Sequence, residues 1–535
     1  MAPFLDDQTN DSPTDDTSAK LPRFAIIGAG QRGNAYARAV VDSGLGLITT
    51  VIEPIAFKRQ LLGSRYIWGS KAKPTPEQEF SSWENFIKYE QQRHKDAAAG
   101  IPTPEGVAGV FVCVRDELHT EVVKALAPLG LHMLCEKPLA TTLEDCLSIQ
   151  RTLLQYPARI FAIGHVLRYS PHNLLLRHLV RGERVIGEVL SLEHTEPVGW
   201  WHFSHSYVRG HWRKEGLRRG PSLLTKSCHD IDWVLWMLCS PPPPGPGGEK
   251  EMPPHLPSNI SSRGSLKQFR RAMKPKEAGE ATNCLSCPIK ETCMYSAPRI
   301  YHDRHLAKAN AKWPVEIVNP EAESILTTSG PDAAKQALFE SLAEDYDAAT
   351  TPVQDIESRP WFGRCVWESD NDVCDDQFVT FEWDDNPETG IGAKTANFHM
   401  IAHSLAQCER RGVIYGTTGE VHYDSKQITV HSFMDDTTKV FNPEVPKNSH
   451  HGGGDDGLAQ QFVKAVDAVD REGWEVWRAQ REFLGVTVEE CVRSHAAVFC
   501  AEEARREGKV VDWGEWWWEN VEKELDGSGS NGMAT

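Results

Sequence analysis

Six residues near the start of the chain, Gly28-Ala29-Gly30-Gln31-Arg32-Gly33, follow an apolar run and open a helical one. In that setting Gly28 permits a tight turn, Gly30 lets the backbone approach a diphosphate, and Gly33 allows close packing of helix on strand. The turn, with Gln31 and Arg32 at the helix start, offers free N–H groups and a partial positive charge to phosphate. Glu53 ends the next apolar run. Its carboxylate can accept ribose hydroxyls and repels a 2′-phosphate, so NAD is expected, with NADP left open by Lys58 and Arg59 close by. A bare glycine pattern is weak evidence, but here strand, helix and acid agree on a dinucleotide site.

A second group is Cys284-x2-Cys287-x5-Cys293. The first pair has zinc-knuckle spacing, and thiolates suit zinc or an iron–sulfur cluster. A structural metal would staple a loop that lacks a core, with a fourth ligand from His302, His305 or Cys374. The plain alternative is a coincidental set of reduced thiols. A third group, His451-Gly452-Gly453-Gly454-Asp455, precedes a helix. Such turns can bind anions, but Asp455 or Asp456 is read here as the helix cap, with the loop near substrate.

The elements that must position these groups alternate. Apolar runs at 23–27, 47–52, 107–114 and 131–135 are separated by helical patterns at 34–42 and 119–129. This predicts a parallel sheet with helices on both faces, whose strands are apolar throughout because both faces are covered. Beyond about residue 161 the segments 188–195, 377–383 and 393–401 read as longer strands of a second, largely antiparallel sheet. Helices are expected over 458–472 and 488–507. The division is a tail at 1–20, a nucleotide-binding domain at 21–165, a second α/β domain at 166–515 with an irregular insertion at about 241–313, and a tail at 525–535.

The formal net charge of -18 argues against nucleic-acid binding, local Arg218 and Arg219 notwithstanding. No apolar run is long enough to cross a bilayer, and the first residues lack a secretory pattern. Thirteen cysteines without an export signal fit reduced thiols in the cytoplasm.

Further motifs carry a resemblance. Leu134-Cys135-Glu136-Lys137-Pro138-Leu139 resembles the EKP motif of the Gfo/Idh/MocA oxidoreductases, which include glucose–fructose oxidoreductase and inositol dehydrogenase. His119 after the fourth strand, Gly164-His165-Val166-Leu167-Arg168-Tyr169, Cys228-His229-Asp230-Ile231-Asp232 and the closing helix at 501–505 follow in family order. The resemblance implies a Rossmann domain followed by an α/β domain with an open sheet that forms a homo-oligomer, and a substrate between the domains. It implies cofactor contacts from Val114, His119, Glu136, Lys137 and His165, and substrate contacts from Arg168, Tyr169, Lys226 and Asp232. It also suggests a cis bond before Pro138.

The expected chemistry is hydride transfer between a nicotinamide cofactor and a sugar, cyclitol or polyol. Such a reaction needs a group that accepts the hydroxyl proton. By the resemblance, Lys137 orients the hydroxyl and His229 acts as acid/base, its ordinary pKa lying near neutrality. Where many family members carry an aspartate four residues before this histidine, the chain has Thr225. Arg115 and Asp116 likewise replace a small and an amide residue. A nicotinamide-binding regulator without catalysis and an NAD-assisted glycosidase are the rival readings. Trp200, Trp201, His202 and Trp212 could stack on a sugar ring, with packing the simpler role for most.

Overall fold

The computed structural model describes residues 21–216, 219–240, 253–446, 449 and 451–527. The tail at 1–20, Arg218, the Pro/Gly-rich stretch at 241–248 and the last residues from 528 lie outside the described residues.

Six strands form the first sheet: β1 (Arg23–Ile27), β2 (Leu47–Ile52), β3 (Glu79–Phe80), β4 (Gly109–Val112), β5 (His132–Cys135) and β6 (Phe161–Ile163). They are all parallel, in the order β3-β2-β1-β4-β5-β6. That is the order of a dinucleotide-binding fold, with its crevice where the connections reverse direction between β1 and β4. Helix α1 (Gln31–Ser43) leaves β1 through the glycine turn. Phe24, Ala25, Ile26 and Ile27 are all buried, as a strand covered on both faces requires.

The second sheet has nine strands: β7 (Val189–Pro197), β8 (Asn259–Ser265), β9 (Asp376–Trp383), β10 (Lys394–Ile401), β11 (Arg411–Gly416), β12 (Gly419–Tyr423), β13 (Ile428–Ser432), β14 (Thr437–Phe441) and β15 (Val510–Asp512). Their order is β14-β13-β12-β11-β7-β10-β9-β8-β15, antiparallel except for the β7–β10 pair. Alternation is plain in β10, where Ala396, Phe398 and Met400 face the core while Asn397 faces outward. The inner face packs on two helices, α2 (Cys228–Leu238) and α4 (Val488–Glu507). Every residue of α2 is buried, which explains its nearly unbroken apolar sequence. Helix α4 is held at its start by a capping box between Thr487 and Glu490.

Three expectations need correction. The insertion at 241–313 is not irregular throughout, because β8 sits inside the second sheet. The irregular part lies between β8 and β9 and has its own small core around Tyr301, Val315, Leu338 and Phe362. Helix α3 (Gly454–Asp470) begins earlier than expected and has Gly453 in the left-handed region as its N-cap, with no side-chain cap. Asp455 and Asp456 are therefore not caps. They pair with Arg32 and Arg38 of α1 and tie α3 to the first domain. At the far end, a short helix, Lys523–Gly527, runs into the region expected to be a tail.

Candidate active site

One cleft of about 1520 Å³ runs between the two sheets' domains and is lined from both. On its first wall, Gly28 has φ +101°, and a Cβ there would stand 2.3 Å from the Cys113 carbonyl oxygen, so glycine alone fits. A Cβ at Gly33 would lie 2.0 Å from the Gly28 oxygen. Gly30 differs: no atom lies within 4 Å of where its Cβ would be. That open space over a helix N-terminus is what a dinucleotide's diphosphate requires. Glu53 ends β2 and is fixed in place, accepting from the Ala29 N–H and the Ile55 N–H at 2.9 Å each. Lys58 lines the same end of the cleft, while Arg59 donates to the Glu53 carbonyl and pairs with Glu79. The Gln31 side chain turns away to Glu316.

The Glu136-Lys137-Pro138 segment follows β5 and contains the cis Lys137–Pro138 bond. Glu136 accepts from Arg32 Nε at 2.8 Å. Burial alone would push its carboxyl up, but the Arg32 guanidinium holds it below the usual range. Arg32 also donates to Asp455, so its charge is spent joining α1, β5 and α3. His119 is fully buried, with Nδ1 2.7 Å from the Pro138 oxygen and Nε2 3.2 Å from the Val114 oxygen. It braces the loops that form the wall and, unlike Val114, does not itself line the cleft. Lys137 reaches across to the second domain, where Nζ donates to the Thr225 carbonyl oxygen at 2.7 Å.

The second wall begins at α2. His229 lines the cleft and sits with its ring centroid 5.8 Å from that of His451. Burial, and after it the Lys137 charge, holds the imidazole well below its ordinary pKa, so it stays neutral. Its Nδ1 has no hydrogen-bond partner among the described residues. Lys226 faces the same space, with Nζ 3.1 Å from Cys408 Sγ and 3.2 Å from Glu196 Oε1. Arg410 grips Asp230 through two bonds of 2.9 and 3.0 Å and reaches Glu196 at 2.7 Å. Burial pushes the Cys408 thiol up, but Lys226 and Arg410 together bring it below its usual value. Burial and then Asp230 push Glu196 up. The result is a wall of paired charges, Lys226 and Arg410 against Glu196 and Asp230, whose polar groups suit oxygen-bearing molecules.

Four residues expected at the site lie behind this wall and do not line the cleft. Arg168 makes a bidentate pair with Asp232 at 2.7 and 2.6 Å, both buried. His165 Nδ1 lies 3.1 Å from the same Asp232 and stacks on His495. The Tyr169 hydroxyl donates to the Leu484 carbonyl oxygen. The expected His451 loop does border the cleft, its Nδ1 3.0 Å from Asp455. Of the aromatic run, His202 and Trp212 line the cleft, whereas Trp201 packs on Trp313 and Trp200 on Tyr295.

The sequence reading missed Glu196, Cys408 and Arg410. Glu196 is the detectable one: it shares the register of Leu192 and His194 in a strand, and a carboxylate on that inward face calls for a cationic partner.

Residues 22–165 match the model of the oxidoreductase family with an NAD-binding Rossmann fold. Inositol 2-dehydrogenase 2 of Saccharopolyspora erythraea is 30% identical over 145 residues, covering 27% of this chain and 39% of that protein. The rhizopine catabolism protein MocA of Rhizobium meliloti is 24% identical over 220 residues, covering 41% and 58%. The chain thus matches between about two-fifths and three-fifths of these relatives' lengths. Among solved structures, levoglucosan dehydrogenase in complex with NADH and levoglucosan aligns with a TM-score of 0.56 at 14% identity, over 92% of this chain and 99% of that one. An inositol dehydrogenase homolog complexed with NAD+ from Azotobacter vinelandii also gives 0.56, at 12% identity, over 92% and 98%. These two likenesses show the two-domain fold. Residues 22–165 are thus similar to the NAD-binding Rossmann domain of the Gfo/Idh/MocA oxidoreductases.

Proposed function

We propose that the protein is an NAD-dependent dehydrogenase that interconverts a hydroxyl and a carbonyl on a sugar, cyclitol or polyol. The observation that carries this reading is the convergence of the open glycine loop, Lys137 and His229 on one cleft. Residues around Gly28–Gly33 and Glu53 would hold the cofactor, which when bound supplies the hydride acceptor or donor.

The chain's own groups handle the proton and the charge. Lys137 presents an ammonium that orients the substrate oxygen and stabilises negative charge developing on it. Its anchor is the Thr225 carbonyl, which fixes the side chain's direction without contributing a full negative charge. His229, held neutral, accepts the hydroxyl proton on an imidazole nitrogen and returns it in the reverse direction. Lys226, with Arg410 behind it, and His451 offer hydrogen bonds to further hydroxyls.

Glu53 supports a preference for NAD, since its carboxylate is anchored where a 2′-phosphate would come. Thirteen unpaired cysteines support a reducing, cytoplasmic setting. None of the described helices is long and apolar enough to cross a membrane. The outer face of the second sheet, where Phe378 is half-exposed and stacks on His399 at 3.8 Å, supports homo-oligomerisation through that face.

A screen of sugars and cyclitols with NAD and with NADP, following absorbance of the reduced cofactor, tests the reading. Turnover of at least one such alcohol, faster with NAD, is expected. Cofactor binding with no turnover of any alcohol, ketose or aldose would favour a regulator.

A further inference from the structure

The insertion between β8 and β9 holds a cluster that the hydride chemistry does not use. Cys284, Cys287, Cys293 and Cys365 all line one small cavity of about 10 Å³, room for a single ion or water. Three come from one local run, and the fourth is supplied from far along the sequence. The backbone makes the meeting specific. The Cys284 N–H donates to the Gly363 oxygen and the Cys365 N–H to the Thr282 oxygen, each at 2.8 Å, around an antiparallel bridge between Asn283 and Arg364. Two tight turns then bring the other thiols back: the Cys287 N–H donates to the Cys284 oxygen, and the Cys293 N–H to the Ile289 oxygen.

We infer that these four cysteines form a thiolate centre for a single zinc ion that joins the start of the insertion to its end. The chemistry of the donor set is selective, because four soft sulfur ligands favour thiophilic metals over magnesium or calcium. Arg209 already points a cation at the cluster, its Nη2 3.4 Å from Cys284 Sγ, and so favours the anionic ligands. Each thiol that binds releases its proton to solvent. No three of the four sulfurs lie within 4.8 Å of one another, so binding would pull them inward.

Other ligand sets fit less well. His165, Cys228 and His495 do lie within 4.8 Å of each other. However, His495 has both ring nitrogens committed, to the Cys491 oxygen and the Leu139 N–H. The fourth ligands considered from sequence are elsewhere. His302 pairs with Asp303, His305 bonds Asn310, and Cys374 does not line the cavity.

The test is elemental analysis of the full chain, purified without oxygen or chelators from cells supplied with zinc and iron. About one zinc per chain is expected, whereas iron with acid-labile sulfide and absorption near 400 nm would mark a cluster and overturn the single-ion centre. Cys365→Ser should lose at least about fivefold in bound metal while Cys374→Ser keeps it. If Cys365→Ser fails to fold, native thiol alkylation of the wild type gives the same reading. Cys284, Cys287, Cys293 and Cys365 should then be protected together and exposed together by chelation. Wild type that holds no zinc, as isolated and after reconstitution, overturns the inference, as does full metal content in Cys365→Ser.

Discussion

The two walls of the cleft are built differently. The first is mainly backbone: a glycine turn, a helix N-terminus and a strand end, each set by neighbours in the sequence. The second is mainly side chains on separate segments, with Lys226 and His229 from the turn into α2 and Cys408 and Arg410 from the turn before β11, backed by Glu196 of β7. On the proposed function, backbone would bind what dehydrogenases share, the dinucleotide, whereas side chains would bind what distinguishes them. A third layer, Arg168–Asp232–His165, lies behind the second wall and supports it without facing the cleft.

The largest effect should come from the chemistry. Lys137→Ala and His229→Ala are each expected to lower kcat/KM by about a thousandfold while leaving NADH affinity within a few-fold, as steady-state kinetics and titration would show. Wild-type turnover in both variants would remove them from the mechanism.

Next comes the layer behind. Arg168→Ala leaves Asp232 buried without its cationic partner, beside His165 and the Ser494 hydroxyl alone, and should cost about 3–5 kcal/mol in urea unfolding. KM of the folded fraction should barely change. Unaltered stability with a tenfold rise in KM would instead make Arg168 a substrate contact.

A smaller effect follows from buried neutral histidines. Burial holds His205, His229 and His495 below the ordinary value, His495 at about 3. An unfolded chain takes up protons at these sites near pH 6.5, the folded one only far lower. Their stabilisation is therefore complete above about pH 6.5 and is lost as pH falls below it, by about 2 kcal/mol per histidine at pH 5. Urea midpoints at pH 7 and pH 5 check this, and equal midpoints would contradict it.

The first wall was readable because its signals are local. The strand at Arg23–Ile27, the turn at Gly28–Gly33 and the acid at Glu53 each stand where spacing places them. The EKP segment was readable as a motif, and the structure adds the Thr225 carbonyl as the partner of its lysine. The second wall was less so, because a motif gives a residue's neighbourhood and not its direction. Arg168 lies within a recognised segment and Lys226 just before another, yet one points into the core and the other into the cleft. Cys408 and Arg410 belong to no spacing pattern and meet Lys226 and Asp230 only through the register of β7, β10 and β11. Cys365 was hidden for the same reason, since a single bridge between Asn283 and Arg364 brings it to its partners.

Gly30 gives the most direct test of a diphosphate resting on the loop, because a methyl group there meets no protein atom and should leave the fold intact. Calorimetric titration of NADH into wild type and Gly30→Ala, with a thermal melt of each, reads both quantities. Micromolar binding by wild type is expected, with a loss of at least about tenfold in the variant at unchanged melting temperature. Equal affinity in the two proteins, or no binding by well-folded wild type, would contradict the assignment of this loop and the function built on it.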